Sequence, residues 1–256
     1  MKYLLCGSMR NINYFVTSHT YTFADDIKKL FHTGTKTEYK RRSIILKPGE
    51  IPSEISYIEK GFVEVYGANT LPGNSLHIIY TKAEIFPVSW IVNKIRRNVM
   101  YRAMSDCTIY SLPRGIILSM VENNSQLSFH LLQQVTEQFT LYSDRIDNLE
   151  YRYASDRLAY YLIFLASRFG EHQGAHIVLQ APLTHQIIGD SINLSRESVS
   201  RELDKLVQKN IITFKGRTII IKDTTALRKT FKQPTSPNWW GLVNPQEIGP
   251  KSQFIG

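Results

Sequence analysis

Between Leu194 and Leu206 the chain reads L-S-R-E-S-V-S-R-E-L-D-K-L. Arg196, Glu197, Ser200 and Arg201 are side chains that can read the edges of base pairs. An arginine donates two hydrogen bonds to guanine O6 and N7, a glutamate accepts from the cytosine amino group, and a serine bonds a base or a phosphate. On a helix, successive residues turn by about 100°, so Val199, Leu203 and Leu206 fall within about 60° of one another. Arg196, Glu197, Ser200, Arg201 and Asp204 fall on the other side. An ordinary surface helix with an Arg–Glu ion pair shows the same two-sided pattern, so this helix alone does not decide the chemistry.

Its neighbours have to position it. Thr184 to Ile192 (T-H-Q-I-I-G-D-S-I) is predicted to be a short helix with Thr184 as its N-cap. Asn193 and Leu194 make the turn, and Ser195 caps a second helix from Arg196 to about Lys209. That order is a helix-turn-helix. Beyond it, the β-branched runs I-I-T-F (211–214) and T-I-I-I (218–221) flank K-G-R (215–217), which reads as a hairpin. Lys215 and Arg217 beside its turn would grip phosphates as a wing does, and the Thr184 and Ser195 hydroxyls are expected among the DNA contacts too.

The elements further upstream differ in period. From about Thr35 to Leu112, short β-branched and aromatic runs alternate with turns such as K-P-G-E (47–50) and N-T-L-P-G-N (69–74). The runs include 43–46, 55–59, 62–66, 76–80 and 101–105, a pattern that predicts a small antiparallel barrel or jelly roll. A short helix is expected over Asp25 to Phe31, with residues 1–22 irregular. From Leu127 the apolar positions Leu127, Leu131, Val135, Phe139, Tyr142, Ile146, Leu149 and Tyr153 recur every three or four residues. That is a long helix with a narrow seam, suited to pairing between two chains, although a helix packed on its own domain would also fit. Ala154 to Phe169 reads as another helix, G-E-H-Q-G-A as a loop and H-I-V-L (176–179) as a strand.

The expected fold class is therefore α+β: an antiparallel, jelly-roll-like β-roll, a long dimerisation helix and a winged helix-turn-helix. The expected boundaries are 1–122, 123–153 and 154–232, followed by a Pro- and Gly-rich loose tail over 233–256 that carries Trp239 and Trp240. A 43% hydrophobic content supports a real core, and a formal charge of +9 suits a polyanionic partner. Two cysteines far apart, Cys6 and Cys107, make no disulfide framework or zinc motif, and a reducing cytoplasm fits them. No apolar run is long enough to span a bilayer, and the first ten residues lack a full signal-peptide core. No G-x-S-x-G, P-loop, HExxH or dinucleotide fingerprint supports an enzyme.

The segment L-T-H-Q-I-I-G-D-S-I-N-L-S-R-E-S-V-S-R-E-L-D-K-L-V-Q-K-N-I-I-T-F-K-G-R-T-I-I-I resembles the winged helix-turn-helix of the Crp–Fnr family of bacterial transcription regulators. The family motif S-R-E-[ST]-V-x-R puts its Arg, Glu and Arg on Arg196, Glu197 and Arg201, and Ser200 matches a serine of the Fnr branch. L-K-P-G-E-I-P-S-E-I-S-Y-I-E-K-G-F-V-E-V-Y (46–66) is similar to the first roll strands of the sensor. The resemblance covers roughly residues 25–228. It implies a homodimer on double-stranded DNA bearing an inverted repeat, with RNA polymerase as a further partner if the protein activates.

The resemblance also frames the effector. The cyclic-nucleotide branch uses a Gly-Glu pair and, about ten residues on, Arg-Ser or Arg-Thr. Here K-A-E-I-F-P-V-S-W (82–90) stands in that place and Asn98 follows Arg97. Cyclic AMP is expected to bind poorly or not at all, with Phe86, Trp90, Arg97 and Asn98 as the candidate pocket. No metal site and no cofactor is expected. Two cysteines cannot hold a four-cysteine iron–sulfur cluster within one subunit. A haem- or small-ligand-dependent sensor of the same family, with His77 or Cys107 as a haem ligand, is an alternative. A basic ligand-binding module without sequence-specific recognition is another, from a different class.

Overall fold

The computed structural model describes residues 18–67, 76–94 and 97–231, leaving aside the side chains of 18–24 and of His77. The expectations for 1–17 and for the tail with Trp239 and Trp240 lie outside the described residues. The described residues begin with helix α1 (Ser18–His32), longer than the Asp25–Phe31 expected, so the irregular stretch predicted through 22 is helical from Ser18. Ile27 and Phe31 anchor it in the roll's flank, while Lys28 and His32 reach Glu59 at 2.9 and 3.2 Å.

Among the described residues eight strands follow: β1 (Thr35–Tyr39), β2 (Ile44–Leu46), β3 (Glu54–Lys60), β4 (Val63–Gly67), β5 (Leu76–Tyr80), β6 (Ile85–Phe86), β7 (Val99–Ala103) and β8 (Cys107–Pro113). They form two antiparallel four-stranded sheets, ordered β1-β8-β3-β6 and β2-β7-β4-β5. Ile58 and Ile109 from one sheet meet Val65, Ile78 and Tyr101 from the other in a shared core. The polar strand β1 (T-K-T-E-Y) is exposed on most of its length, and its ladder to β8, rather than its side chains, makes it a strand. Three helices come next: α2 (Val88–Val92) between β6 and β7, then α3 (Arg114–Asn123) and the long α4 (Ser125–Glu150) after β8.

Asn124 caps α4, its Oδ1 accepting from the amides of Gln126 and Leu127 at 3.0 and 3.1 Å. The helix ends three residues before the Tyr153 expected, because Tyr151 and Tyr153 turn to extended backbone. Its apolar residues face two ways. Leu127 and Leu131 are buried with Ile55, Tyr57, Ile85 and Trp90 against the roll, which removes them from the predicted dimer seam. On the exposed side lie Phe129, Leu132, Val135, Phe139 and Ile146. The first turns therefore pack on their own chain and leave a separate stripe outward.

The remaining elements are α5 (Ala154–Phe169), β9 (Gly170–Gln173), β10 (His176–Leu179), α6 (His185–Ile192), α7 (Arg196–Gln208), β11 (Ile212–Lys215), β12 (Thr218–Ile221) and α8 (Thr224–Arg228). The expected loop at G-E-H-Q-G-A holds strand β9. It is a solvent-facing edge strand with no apolar alternation, closed on β10 by Gly174 at φ 62°. The sheet order is β11-β12-β10-β9. Helix α5 is apolar around most of its girth because it is covered on two sides. Leu158, Leu162 and Leu165 belong to a cluster holding Ile188, Val199, Leu203 and Ile221, and that cluster continues into Tyr66, Leu76, Ile79 and Met104 of the roll. The winged unit and the β4–β5 side of the roll thus share one apolar interface.

Candidate nucleic-acid interface

The geometry of 184–221 begins with its caps. Thr184 Oγ1 accepts the Ile187 amide at 3.2 Å, and Ser195 Oγ accepts the Ser198 amide at 3.1 Å. These two hydroxyls, expected among the DNA contacts, thus fix where α6 and α7 begin. Between the helices Asn193 adopts the left-handed conformation at φ 53°. Gly189 is needed for close approach: a Cβ there would lie 2.5 Å from the Leu194 carbonyl oxygen. The turn can fold tightly against α6 only with no side chain at that position.

On α7, Val199 and Leu203 are fully buried and Leu206 nearly so, as the 100° spacing requires. Arg196, Glu197 and Arg201 are exposed and Ser200 is half-buried. Glu197 is held below the usual carboxylate range by its own backbone N–H, by the Ser195 hydroxyl and by Arg196 and Arg201. It remains a charged acceptor at neutral pH. Arg201 donates to Ser198 Oγ at 3.2 Å, which aims its guanidinium along the exposed face. In the hairpin, Lys215 pairs with Thr218 across the turn, Gly216 takes φ 60°, and Lys215 and Arg217 are exposed. Phe214 is also exposed, its ring centroid 6.3 Å from that of His185 at the start of α6. Sequence reading passed over this contact, since neither residue type announces it.

Residues 156–230 match the Crp-like helix-turn-helix domain, and residues 36–124 match the cyclic nucleotide-binding domain. The cAMP-activated global transcriptional regulator CRP of Pasteurella multocida is 25% identical over 189 residues, spanning 73% of this chain and 90% of that protein. The global nitrogen regulator of a Synechocystis species is 23% identical over 195 residues, 75% of this chain and 87% of that protein. The chain belongs to the Crp–Fnr family of transcription regulators. Its fold is shared with FixK2 of Bradyrhizobium japonicum, with a TM-score of 0.67, 18% identity and coverage of 78% and 98% of the two chains. A CooA mutant from Carboxydothermus hydrogenoformans gives a TM-score of 0.66, 20% identity and coverage of 78% and 89%.

In this Crp–Fnr chain the four candidate effector residues separate. Phe86 is fully buried in the core between the sheets, stacked on Tyr101 at 5.4 Å, so its side chain is packing and not part of the hollow beside Trp90, which corrects its expected place in the pocket. Trp90 is buried but borders a shallow hollow with Ser89, Lys47, Glu50 and Arg97. Arg97 and Asn98 are exposed.

Glu84, the carboxylate of the cassette, was missed by sequence reading. Its Oε1 meets Arg168 of α5 at 2.7 Å, and its Oε2 accepts the Thr81 amide at 2.5 Å. Burial raises its carboxyl above the usual range, with Arg168 and the Thr81 amide pulling the other way. No spacing in the sequence could pair residues 84 positions apart; only the packing of α5 against the roll does so.

Cys107 is buried, its Sγ 3.3 Å from the carbonyls of Phe62 and Ser105. Among the described residues no helix is long and apolar enough to cross a membrane, and no group of three His, Cys, Asp or Glu could hold a metal ion.

Proposed function

We propose that this regulator is a homodimer that reads an inverted repeat in duplex DNA, with α7 in the major groove and the β11–β12 wing on flanking phosphates. The observation that carries the reading is the exposed Arg196–Glu197–Arg201 face, backed by buried Val199 and Leu203 and seated by two hydroxyl caps. Rigid backing matters because bidentate base contacts tolerate little positional error. The α4 stripe supports dimerisation: Phe139 is 71% exposed in one chain, and Val135 and Ile146 are exposed beside it, with Tyr142 and Leu149 half-buried. A contiguous apolar stripe of this kind favours a partner surface. Pairing two copies there would set two recognition helices about one DNA turn, roughly 34 Å, apart. If the protein activates, RNA polymerase is the further partner.

The sensor, on this reading, does not take cyclic AMP in the usual way. Ala83 stands where the cassette has glycine, Asn98 where it has serine or threonine, and Glu84 is already engaged by Arg168. Of the two candidate haem ligands, the His77 side chain lies outside the described residues, and Cys107 does not suit the role. The Cys107 thiol points at two backbone carbonyls and burial raises its pKa, so a thiolate ligand there is disfavoured.

The test is selection of bound duplexes from a random pool, followed by gel shifts on the selected site in rising salt. An inverted repeat whose preference over random DNA survives the salt supports the reading. Loss of both together would mark a merely basic protein. Sedimentation of wild type and Phe139→Glu checks the dimer, with the variant expected to be monomeric. Micromolar cyclic AMP binding by calorimetry, or a Soret band in the purified protein, would overturn the sensor half.

A further inference from the structure

The winged unit follows the long helix through a short extended stretch, with Tyr151 and Tyr153 both out of helical backbone between α4 and α5. Such a stretch fixes no orientation by itself, so packing and hydrogen bonds must. The near end of α5 is tied to α4: Asn148 Nδ2 donates to the Arg157 carbonyl at 2.9 Å, and Arg157 Nε donates to the Tyr151 carbonyl at 2.7 Å. Helix α4 is in turn seated on the roll, where the Gln134 amide exchanges two hydrogen bonds with the Ile85 backbone. A helix held at one end can still pivot there.

The far end of α5 carries a second tie. Arg168, in its last turn, uses Nη2 to reach both Glu84 Oε1 at 2.7 Å and the Ile79 carbonyl at 3.1 Å. Glu84 is itself held, its Oε2 accepting the Thr81 amide. The Arg168 guanidinium lies 5.3 Å from the centre of the Phe169 ring, and that ring meets Phe62 of the roll edge-on at 5.8 Å. Apolar contacts such as Phe62 on Phe169 tolerate sliding. A mostly buried arginine–carboxylate pair is directional, and fixing register is the best-attested use of such pairs.

Arg157 and Arg168 are eleven residues apart, about 16 Å along the helix, so a slip of about 3 Å at the far tie turns α5 by about 10°. Val199 and Leu203 of α7 share one apolar cluster with Leu158 and Leu162 of α5, so the recognition helix turns with it. We propose that Glu84 and Arg168 are positioning residues for DNA reading: their pair locks the far end of α5 to the roll and thereby sets the spacing of the two recognition helices in the dimer.

This role rests on the DNA-binding reading above and gives its spacing a cause. Affinity for a single half-site belongs to α7 and the wing. Affinity for an inverted repeat also needs two winged units about one DNA turn, roughly 34 Å, apart. Once one unit is bound, the effective concentration of the second at its half-site depends on how narrowly its position is held. The pair therefore acts on the full site and on the spacing it tolerates, and leaves the half-site alone.

The test uses the full chain and the double variant Glu84→Met, Arg168→Met. Replacing a buried pair by apolar side chains of similar volume is often neutral for stability, so this variant removes the direction and keeps the packing. Nitroxides at Lys47→Cys on the roll and Lys209→Cys on the winged unit, both exposed positions, are placed in a Cys6→Ser background, where Cys107 is buried. Labelled chains diluted into unlabelled ones report distances within one chain by pulsed electron paramagnetic resonance. The distance distribution should be at least twofold broader in the double variant, and an unchanged width overturns the lock. Glu84→Gln, which keeps the shape and loses the charge, should broaden it less and serves if the double variant does not fold. Gel shifts then compare the selected inverted repeat, the same repeat with one base pair added between its halves, and a lone half-site. The wild type should prefer the selected spacing at least tenfold and the double variant less than threefold, with half-site affinities of the two proteins within twofold. A variant that keeps the wild-type spacing preference, or that loses half-site binding in step with the full site, overturns the positioning role. Broadened distances in a protein that binds no duplex sink the regulator reading and leave the lock standing.

Discussion

The winged unit and the roll place their functional side chains by opposite means. In the winged unit the face offered to a partner points away from the core: Arg196, Glu197 and Arg201 stand outward while Val199 and Leu203 stand inward on the same thirteen-residue helix. In the roll, the residues at the cassette position are drawn inward. Phe86 is spent on the core, and Glu84 is held by a helix of the other unit. An outward face can change its chemistry without disturbing what supports it. An inward one cannot, because its side chains are also the packing. Changes at the inward residues of the roll are therefore expected to cost stability, whereas changes at Arg196, Glu197 or Arg201 are expected to alter binding and leave stability nearly untouched.

The largest expected effect tests whether the support behind the winged face is as rigid as its burial implies. Leu203→Ala removes a fully buried side chain from the cluster shared by α5, α6 and α7. It should cost about 2–5 kcal/mol of stability. Urea denaturation followed by far-UV circular dichroism reads this directly. A loss under about 1 kcal/mol would mean that α7 is not held from behind, and the contrast with the roll would weaken.

The next effect probes the joint between the two regions. The Glu84 and Arg168 side chains are 17% and 14% exposed, so their pair is mostly screened from water. Removing one partner of a well-buried pair costs roughly 3–5 kcal/mol, and partial exposure lowers that to about 2 kcal/mol here. Glu84→Ala, Arg168→Ala and the double variant form a cycle that isolates the coupling. A coupling below about 0.5 kcal/mol would show the joint to be incidental, since exposed pairs of that strength are common.

These expectations also show which parts were legible from sequence. Helix α7, its cap Ser195 and the hairpin could be read because they are amphipathic and locally punctuated, and their partners lie within a few residues. The direction of Leu127 and Leu131 could not. A spacing of three and four residues marks an apolar stripe but does not say whether a partner chain or the chain's own roll covers it. Strand β9 was hidden because it is a polar edge made by its backbone ladder, and β1, at the start of the region read as strands, was not singled out as a run for the same reason. The Glu84–Arg168 contact arises only when distant elements meet, so no local pattern encodes it.

A base-reading side chain should show a smaller but more selective effect. Arg201→Ala is expected to weaken operator binding by about 1–3 kcal/mol and to relax preference at one base pair of each half-site. Competition gel shifts with every substitution at each position of the selected site would show it. An equal loss on every sequence would place Arg201 on phosphate and leave base reading to Arg196 and Glu197.

The smallest expected effect sets the wing against the recognition helix within the same unit. Lys215 is exposed beside a glycine turn, where a long flexible cation suits a phosphate rather than a base edge. Each phosphate neutralised releases condensed counterions, so the salt dependence of binding counts such contacts. Lys215→Ala should therefore weaken operator and random duplex by the same factor and reduce the slope of log affinity against log salt by about 1 per chain. Arg201→Ala, if it reads a base, changes the ratio between the two duplexes instead. Should Lys215→Ala alter that ratio and leave the slope unchanged, the wing would be reading sequence, and the division of labour between outward arginine and wing lysine would have to be redrawn.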